Sequence, residues 1–189
     1  MAMSLAKLSL FAMLFFSSTL LIAKSDYAEI LLPEELGLKT RKLTHLHFYL
    51  HENITGPFPN VIRVAQAETT DKSPFSFGAV NVVDDPILVG PDRSSKQIGR
   101  AQAVMAFASQ NDFAVLMAIN LAFTEGKYNG STVTILGRNM VFTELRELPV
   151  VGGSGVFRFA TGYVKTSTHF MDLKAGIVVL EYDVYVFHF

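Results

Sequence analysis

From Leu43 to the C-terminus the chain is a succession of short runs, several alternating between apolar and polar residues, each cut off within about a dozen residues by a turn cluster. A period of two puts successive side chains on opposite faces of an extended strand, so this pattern excludes a helical bundle. Leu43–Glu52 is the clearest run: Leu46, Phe48 and Leu50 share one face, and His45, His47, Tyr49 and His51 share the other. Further strands are expected over 61–67, 75–84, 131–136, 140–144, 156–165 and 177–189. The turn signals are Gly56-Pro57-Phe58-Pro59-Asn60, Lys72-Ser73-Pro74, Asp85-Pro86, Gly90-Pro91-Asp92, Gly126–Gly130, Gly137-Arg138-Asn139 and Gly152-Gly153-Ser154-Gly155. Ile98–Ser109 and Phe113–Thr124 are rich in alanine and methionine, which also suit a helix. Their β neighbours and the tight Gln110-Asn111-Asp112 connection favour strands. Such a chain closes into an all-β barrel or a sandwich, with length for about eight strands, and an eight-stranded barrel can hold one small ligand.

Composition narrows the function classes. The 189 residues include no cysteine, which removes disulfides, thiolate metal sites and a cysteine nucleophile. Half of the residues are hydrophobic, so an ordinary apolar core must hold the fold. Sixteen Lys and Arg against 17 Asp and Glu give no basic face for nucleic acid. Residues 1–25 carry Lys7 in a short head, an apolar stretch from Leu8 to Ala23 interrupted by hydroxyls, and small residues around Ala23-Lys24-Ser25. This is the pattern of a secretory signal peptide rather than a membrane anchor. Residues 26–42 read as a flexible N-terminal arm and 43–189 as one barrel domain. The sequons Asn53-Ile54-Thr55 and Asn129-Gly130-Ser131 are expected glycan acceptors in a secreted chain.

Three residues are candidates for chemistry. Glu52 continues the face of Leu46, Phe48 and Leu50, so it either ends the strand in water or brings a carboxyl to a barrel mouth. In the second case burial would raise its pKa and make it a proton donor near neutrality. Asp84 follows Val80 and Val82 on one face, and Asp84-Asp85-Pro86 also reads as a turn opener. Arg146, between Glu144 and Glu147, is either a surface ion-pair residue or an inward group that orients a phenolic oxygen. His45-x-His47 followed by Glu52 resembles the metal-binding strand of cupins, but the framing glycines are missing and Glu52 has the opposite parity to both histidines. No metal site and no cofactor are expected. No G-x-S-x-G, P-loop, G-x-G-x-x-G after a strand or H-E-x-x-H occurs.

Ordered segments across the domain resemble the plant dirigent proteins. They include Phe48-Tyr49-Leu50-His51-Glu52, Asp84-Asp85-Pro86, Gly99-Arg100-Ala101-Gln102, Leu136-Gly137-Arg138-Asn139, Arg146-Glu147-Leu148-Pro149-Val150-Val151-Gly152-Gly153 and Glu181-Tyr182-Asp183-Val184-Tyr185. The resemblance implies an eight-stranded antiparallel β-barrel, a homotrimer, secretion to the apoplast and glycosylation. It implies stereoselective control of phenoxy radical coupling, with the radicals supplied by a separate laccase or peroxidase. Pterocarpan synthases of the same family instead dehydrate a phenolic alcohol through a quinone methide. Carried over, Glu52, Asp84 and Arg146 are the catalytic set, and Phe48, Leu50, Met105, Phe107, Leu136, Asn139 and Ile177 are expected at the substrate. This chain departs from the lignan-forming members, which have an acid where it has Asn139, a tyrosine where it has Met105, and commonly a disulfide. It looks closer to the cysteine-free branch that includes the pterocarpan synthases. The substrate is therefore a phenolic radical or quinone methide, with neither nucleic acid nor a membrane as partner.

Overall fold

A computed structural model describes residues 27–189. The expected signal peptide, residues 1–25, lies outside the described residues. The chain divides after Leu38 into two units, and the described residues of the first include a 3-10 turn over Pro33–Leu36. The second unit is all-β, with strands β1 (Lys42–Asn53), β2 (Val61–Ala65), β3 (Val80–Leu88), β4 (Gln97–Phe107), β5 (Ala114–Phe123), β6 (Thr132–Met140), β7 (Leu145–Ser154), β8 (Thr161–Asp172) and β9 (Ile177–His188). Every pairing is antiparallel, in the order β1-β9-β8-β7-β6-β5-β4-β3-β2, and β1 closes back onto β3. Eight strands thus form a closed antiparallel barrel, with the short β2 flanking β3. The two alanine-rich segments are strands β4 and β5, because each is hydrogen-bonded along both edges.

Several boundaries differ from the turn signals, for local reasons. Pro86 lies inside β3 rather than in a turn. On that edge β3 pairs with β2 as far as Val83 and with β1 only from Ile87, and the missing N–H of Pro86 falls in the gap between the two partners. Gly137-Arg138-Asn139 continues β6, where a Cβ on Gly137 would stand 2.9 Å from Pro149 Cδ. Gly152, Gly153 and Ser154 belong to β7, and the turn comes at Gly155–Phe157.

Most inward positions are apolar, among them Phe48 and Leu50 on β1, Ile87 on β3, Leu121 on β5, Ile135 on β6, Leu148 on β7 and Val184 on β9. At one end, Phe48 stacks on Tyr182 at 5.7 Å and meets Phe123 edge-on, while Phe157 packs against Phe123, Tyr128 and His188. Large rings fill that half of the barrel as a core. The other half, beyond the Tyr182 level, is open.

Candidate active site

The open half is a cavity of about 290 Å³. Most of its wall is apolar: Met105 and Phe107 from β4, Val115 and Met117 from β5, Val178 and Leu180 from β9, and Ile54, Phe113, Phe142 and Leu173 from the loops at the mouth. The polar groups on the wall are Glu52, Ser76, Asn81, Asn139, Arg146 and Thr168.

Glu52 is the last inward residue of β1, and its accessible surface faces this cavity rather than bulk solvent. Burial pushes its carboxyl up to about 7, against the opposing pull of the Arg146 guanidinium. Arg146 is only 5% exposed. Its Nη1 donates to the Val141 carbonyl at 2.7 Å and to Thr168 Oγ1 at 2.9 Å, while Nε and Nη2 have no protein partner. Burial pushes its pKa down, but a guanidinium keeps its charge in a protein. Arg146, Thr166 and Tyr182 lie in one cross-strand row over β7, β8 and β9. The Tyr182 phenol is pushed upward, first by burial and then by the Glu52 carboxylate, so it stays protonated.

The aspartate pair corrects the expected assignment. Asp84 points outward, with Arg100 Nε donating to its Oδ1 at 2.9 Å and Arg100 Nη2 to its carbonyl oxygen. The run Val80, Val82, Asp84 does share a face, but that face is the outside of the barrel, and Val83, Asp85 and Ile87 point inward. Asp85 is 2% exposed and one carboxyl oxygen has no partner. Burial, reinforced by the charge of Glu52, pushes its carboxyl up to about 9. Two buried carboxyls that sense each other cannot both ionise cheaply, so Asp85 keeps its proton through neutrality and Glu52 gains or loses one there.

Other expected positions divide. Met105, Phe107 and Asn139 line the cavity. Phe48 and Leu50 point inward but sit in the filled core, away from the cavity wall. Leu136 is corrected to the outer face, 43% exposed, because Val133, Ile135 and Asn139 are the buried members of β6. Ile177 is likewise corrected, since Val178 takes the cavity position of β9. His45 and His47 lie on the outer surface, 2.6 Å from Asp183 and 2.8 Å from Glu181. Asn129 lies in an exposed turn, and Asn53 beside the mouth donates from Nδ2 to the Phe58 carbonyl.

Sequence reasoning missed Asp85, Asn81, Thr168 and Tyr182. For Asp85 the signal existed: it alternates with Val83 and Ile87, two aliphatic residues as fit for a core as Val80 and Val82.

Comparison with known proteins adds a name to this geometry. The family model described as "Dirigent-like protein" matches residues 43–187. The chain belongs to the dirigent family. It is 44% identical to Dirigent protein 21 of Arabidopsis thaliana, over 96% of this chain and 95% of that protein. It is also 41% identical to Pterocarpan synthase 1 of Glycyrrhiza echinata, covering 89% of this chain and 90% of the other. A solved structure of a pterocarpan synthase dirigent protein superposes with a TM-score of 0.74 at 42% identity, covering 80% of this chain and 87% of that one. The dirigent relatives thus include proteins named for an enzymatic activity and proteins named only for the family.

Proposed function

We propose that this dirigent protein binds a phenolic intermediate in its cavity and fixes which face of it reacts, without oxidising it. Phenoxy radicals from a separate laccase or peroxidase couple within or at the mouth of the chamber, which presents one face of the ring. The coupled product is a quinone methide. Closing it needs a proton on the carbonyl oxygen while a hydroxyl adds to the electrophilic carbon and loses its own proton. Glu52 gives the first proton and recovers the second, so the cycle balances, and Arg146 steadies the oxygen as its charge changes. The observation that carries this reading is a buried carboxyl that shares the wall of an apolar chamber with a fixed guanidinium. The test is chiral analysis of products formed by a laccase from a panel of phenols, with and without the protein. Enantiomeric excess that appears only when the protein is present supports the reading; racemic product from every phenol contradicts it.

A second reading, dehydration of a phenolic alcohol to a quinone methide followed by ring closure, is favoured by the cavity size. A cavity of roughly 150 Å³ holds one benzene ring, so the 290 Å³ here suits one molecule with two rings. The same Glu52 would protonate the departing hydroxyl, which leaves as water while the phenol gives its own proton to the Glu52 carboxylate; on ring closure Glu52 returns that proton to the carbonyl oxygen and takes the proton of the adding hydroxyl. Consumption of an isoflavanol with no oxidase present selects this reading over the first.

Secretion to the apoplast, glycans at Asn53 and Asn129, and assembly into a homotrimer belong to the same proposal. For the last, support comes from the outer face of β3–β6, where Val82, Val104, Leu116 and Leu136 are all exposed.

A further inference from the structure

The structure assigns Thr168 as a positioning residue: its hydroxyl holds the Arg146 guanidinium at the cavity wall, where its charge acts on Glu52 and on the substrate oxygen. This rests on the proposed role of Arg146. A guanidinium is a rigid planar fork, so gripping one of its nitrogens fixes where the whole charge sits. Here the protein grips only Nη1, from Thr168 Oγ1 at 2.9 Å and the Val141 carbonyl at 2.7 Å. Nε and Nη2 have neither a protein partner nor accessible surface, so the two Nη1 hydrogen bonds are what fix the position of the buried charge.

The local fold is arranged around this grip. β7 begins only at Leu145, so Thr168 lies beyond the last rung between β7 and β8, level with the β6–β7 loop that supplies the Val141 carbonyl. Immediately after Thr168 the register of β8 against β9 slips, with Thr168 opposite Leu180 and Phe170 opposite Val179. His169 is the extra residue of this bulge and packs edge-on against Tyr49 outside the barrel. Continuous alternation from Val164, Thr166 and Thr168 would carry Phe170 and Asp172 inward. Instead Phe170 is exposed and Met171 reaches the cavity wall. The bulge therefore lets the wall turn apolar directly beyond the hydroxyl, which bulges near functional sites commonly do.

The test compares Thr168→Val, which keeps the shape and removes the acceptor, with Thr168→Ser, which keeps the acceptor. The first readout needs no substrate: titration of the Glu52 carboxyl by carbon NMR, assigned with Glu52→Gln. The charged or titratable groups facing Glu52 are Arg146 from β7, Asp85 from β3 and Tyr182 from β9. With Arg146 loosened, Glu52 in Thr168→Val titrates at higher pH than in the wild type, and Thr168→Ser restores the wild-type value. The second readout is conversion or product ratio, which falls roughly 10-fold to 100-fold in Thr168→Val and recovers in Thr168→Ser, the range expected for one hydrogen bond to a charged group. A wild-type Glu52 titration and wild-type conversion in Thr168→Val overturn the inference. If Arg146→Ala leaves conversion unchanged, the role of Arg146 fails, while the titration still decides whether Thr168 positions it. Should Thr168→Val fold poorly, Thr168→Ala against Thr168→Ser makes the same comparison.

Discussion

Two neighbouring aspartates have opposite environments, and the difference is measurable. Asp84 is exposed and paired with Arg100, an arrangement worth about 0–1 kcal/mol at a surface. We expect Asp84→Asn to keep wild-type conversion and nearly wild-type stability. Asp85 and Glu52 are interior acids whose folded-state pKa values lie above their ordinary ones, so the folded protein binds more protons than the unfolded chain. Their contribution to stability is fully present below their ordinary values of 3.8 and 4.5, and it is lost as pH rises through about 7 for Glu52 and about 9 for Asp85. The melting temperature should therefore fall steadily between pH 4 and pH 9. Asp85→Asn should flatten the upper part of that decline, and a wild-type curve that rises with pH would refute the assignment. Glu52→Gln removes the transferable proton and should lower turnover by roughly 10²- to 10⁴-fold, the usual yield of general acid catalysis. Which acid faces inward was only half legible in the sequence. Alternation separates two faces, but Val80 and Val82 look as fit for a core as Val83 and Ile87. The closure of β1 onto β3, a contact between distant parts of the chain, decides between them.

At the scale of elements, the strands could be read where the period of two is unbroken and were misjudged where one residue interrupts it. β1 was readable because Leu46, Phe48 and Leu50 form an unbroken large apolar face. β3 and β6 were cut short because proline or glycine signalled a turn, although Pro86 falls where a strand partner is missing and Pro149 packs too closely for a Cβ on Gly137. β7 was missed, and the strand expected over 140–144 falls on the end of β6 and the turn after it. Leu136 and Ile177 were placed at the substrate by the family resemblance, whereas strand parity sends them outward. The same argument separates core from site on β1. Phe48 fills the closed end, so Phe48→Ala should cost about 3–5 kcal/mol of stability in thermal or urea unfolding. Phe107→Ala, on the cavity wall, should act mainly on the product ratio.

For the whole molecule, the barrel was legible and the cavity was not. Many short strands with frequent turns require closure or sheet packing, but how far the interior is filled depends on where each large side chain comes to lie. Here Phe48, Phe123, Phe157 and Tyr182 fill one end and leave a cavity beyond them, with Glu52 and Arg146 on its wall and the buried Asp85 sensing the charge of Glu52. The outer face has its own prediction. Leu116→Glu or Leu136→Glu should leave the circular dichroism spectrum and the cavity intact and shift light scattering from a trimer toward a monomer. The central claim is that the chamber orients a phenolic intermediate and transfers one proton to it. Chiral chromatography tests it most directly, on products formed with laccase, and on an isoflavanol without it, by the wild type and by Glu52→Gln. The account predicts one enantiomer in excess from the wild type in at least one of these reactions, and loss of that product in Glu52→Gln. Racemic product with laccase together with an untouched isoflavanol, or an equal excess from both proteins, would contradict it.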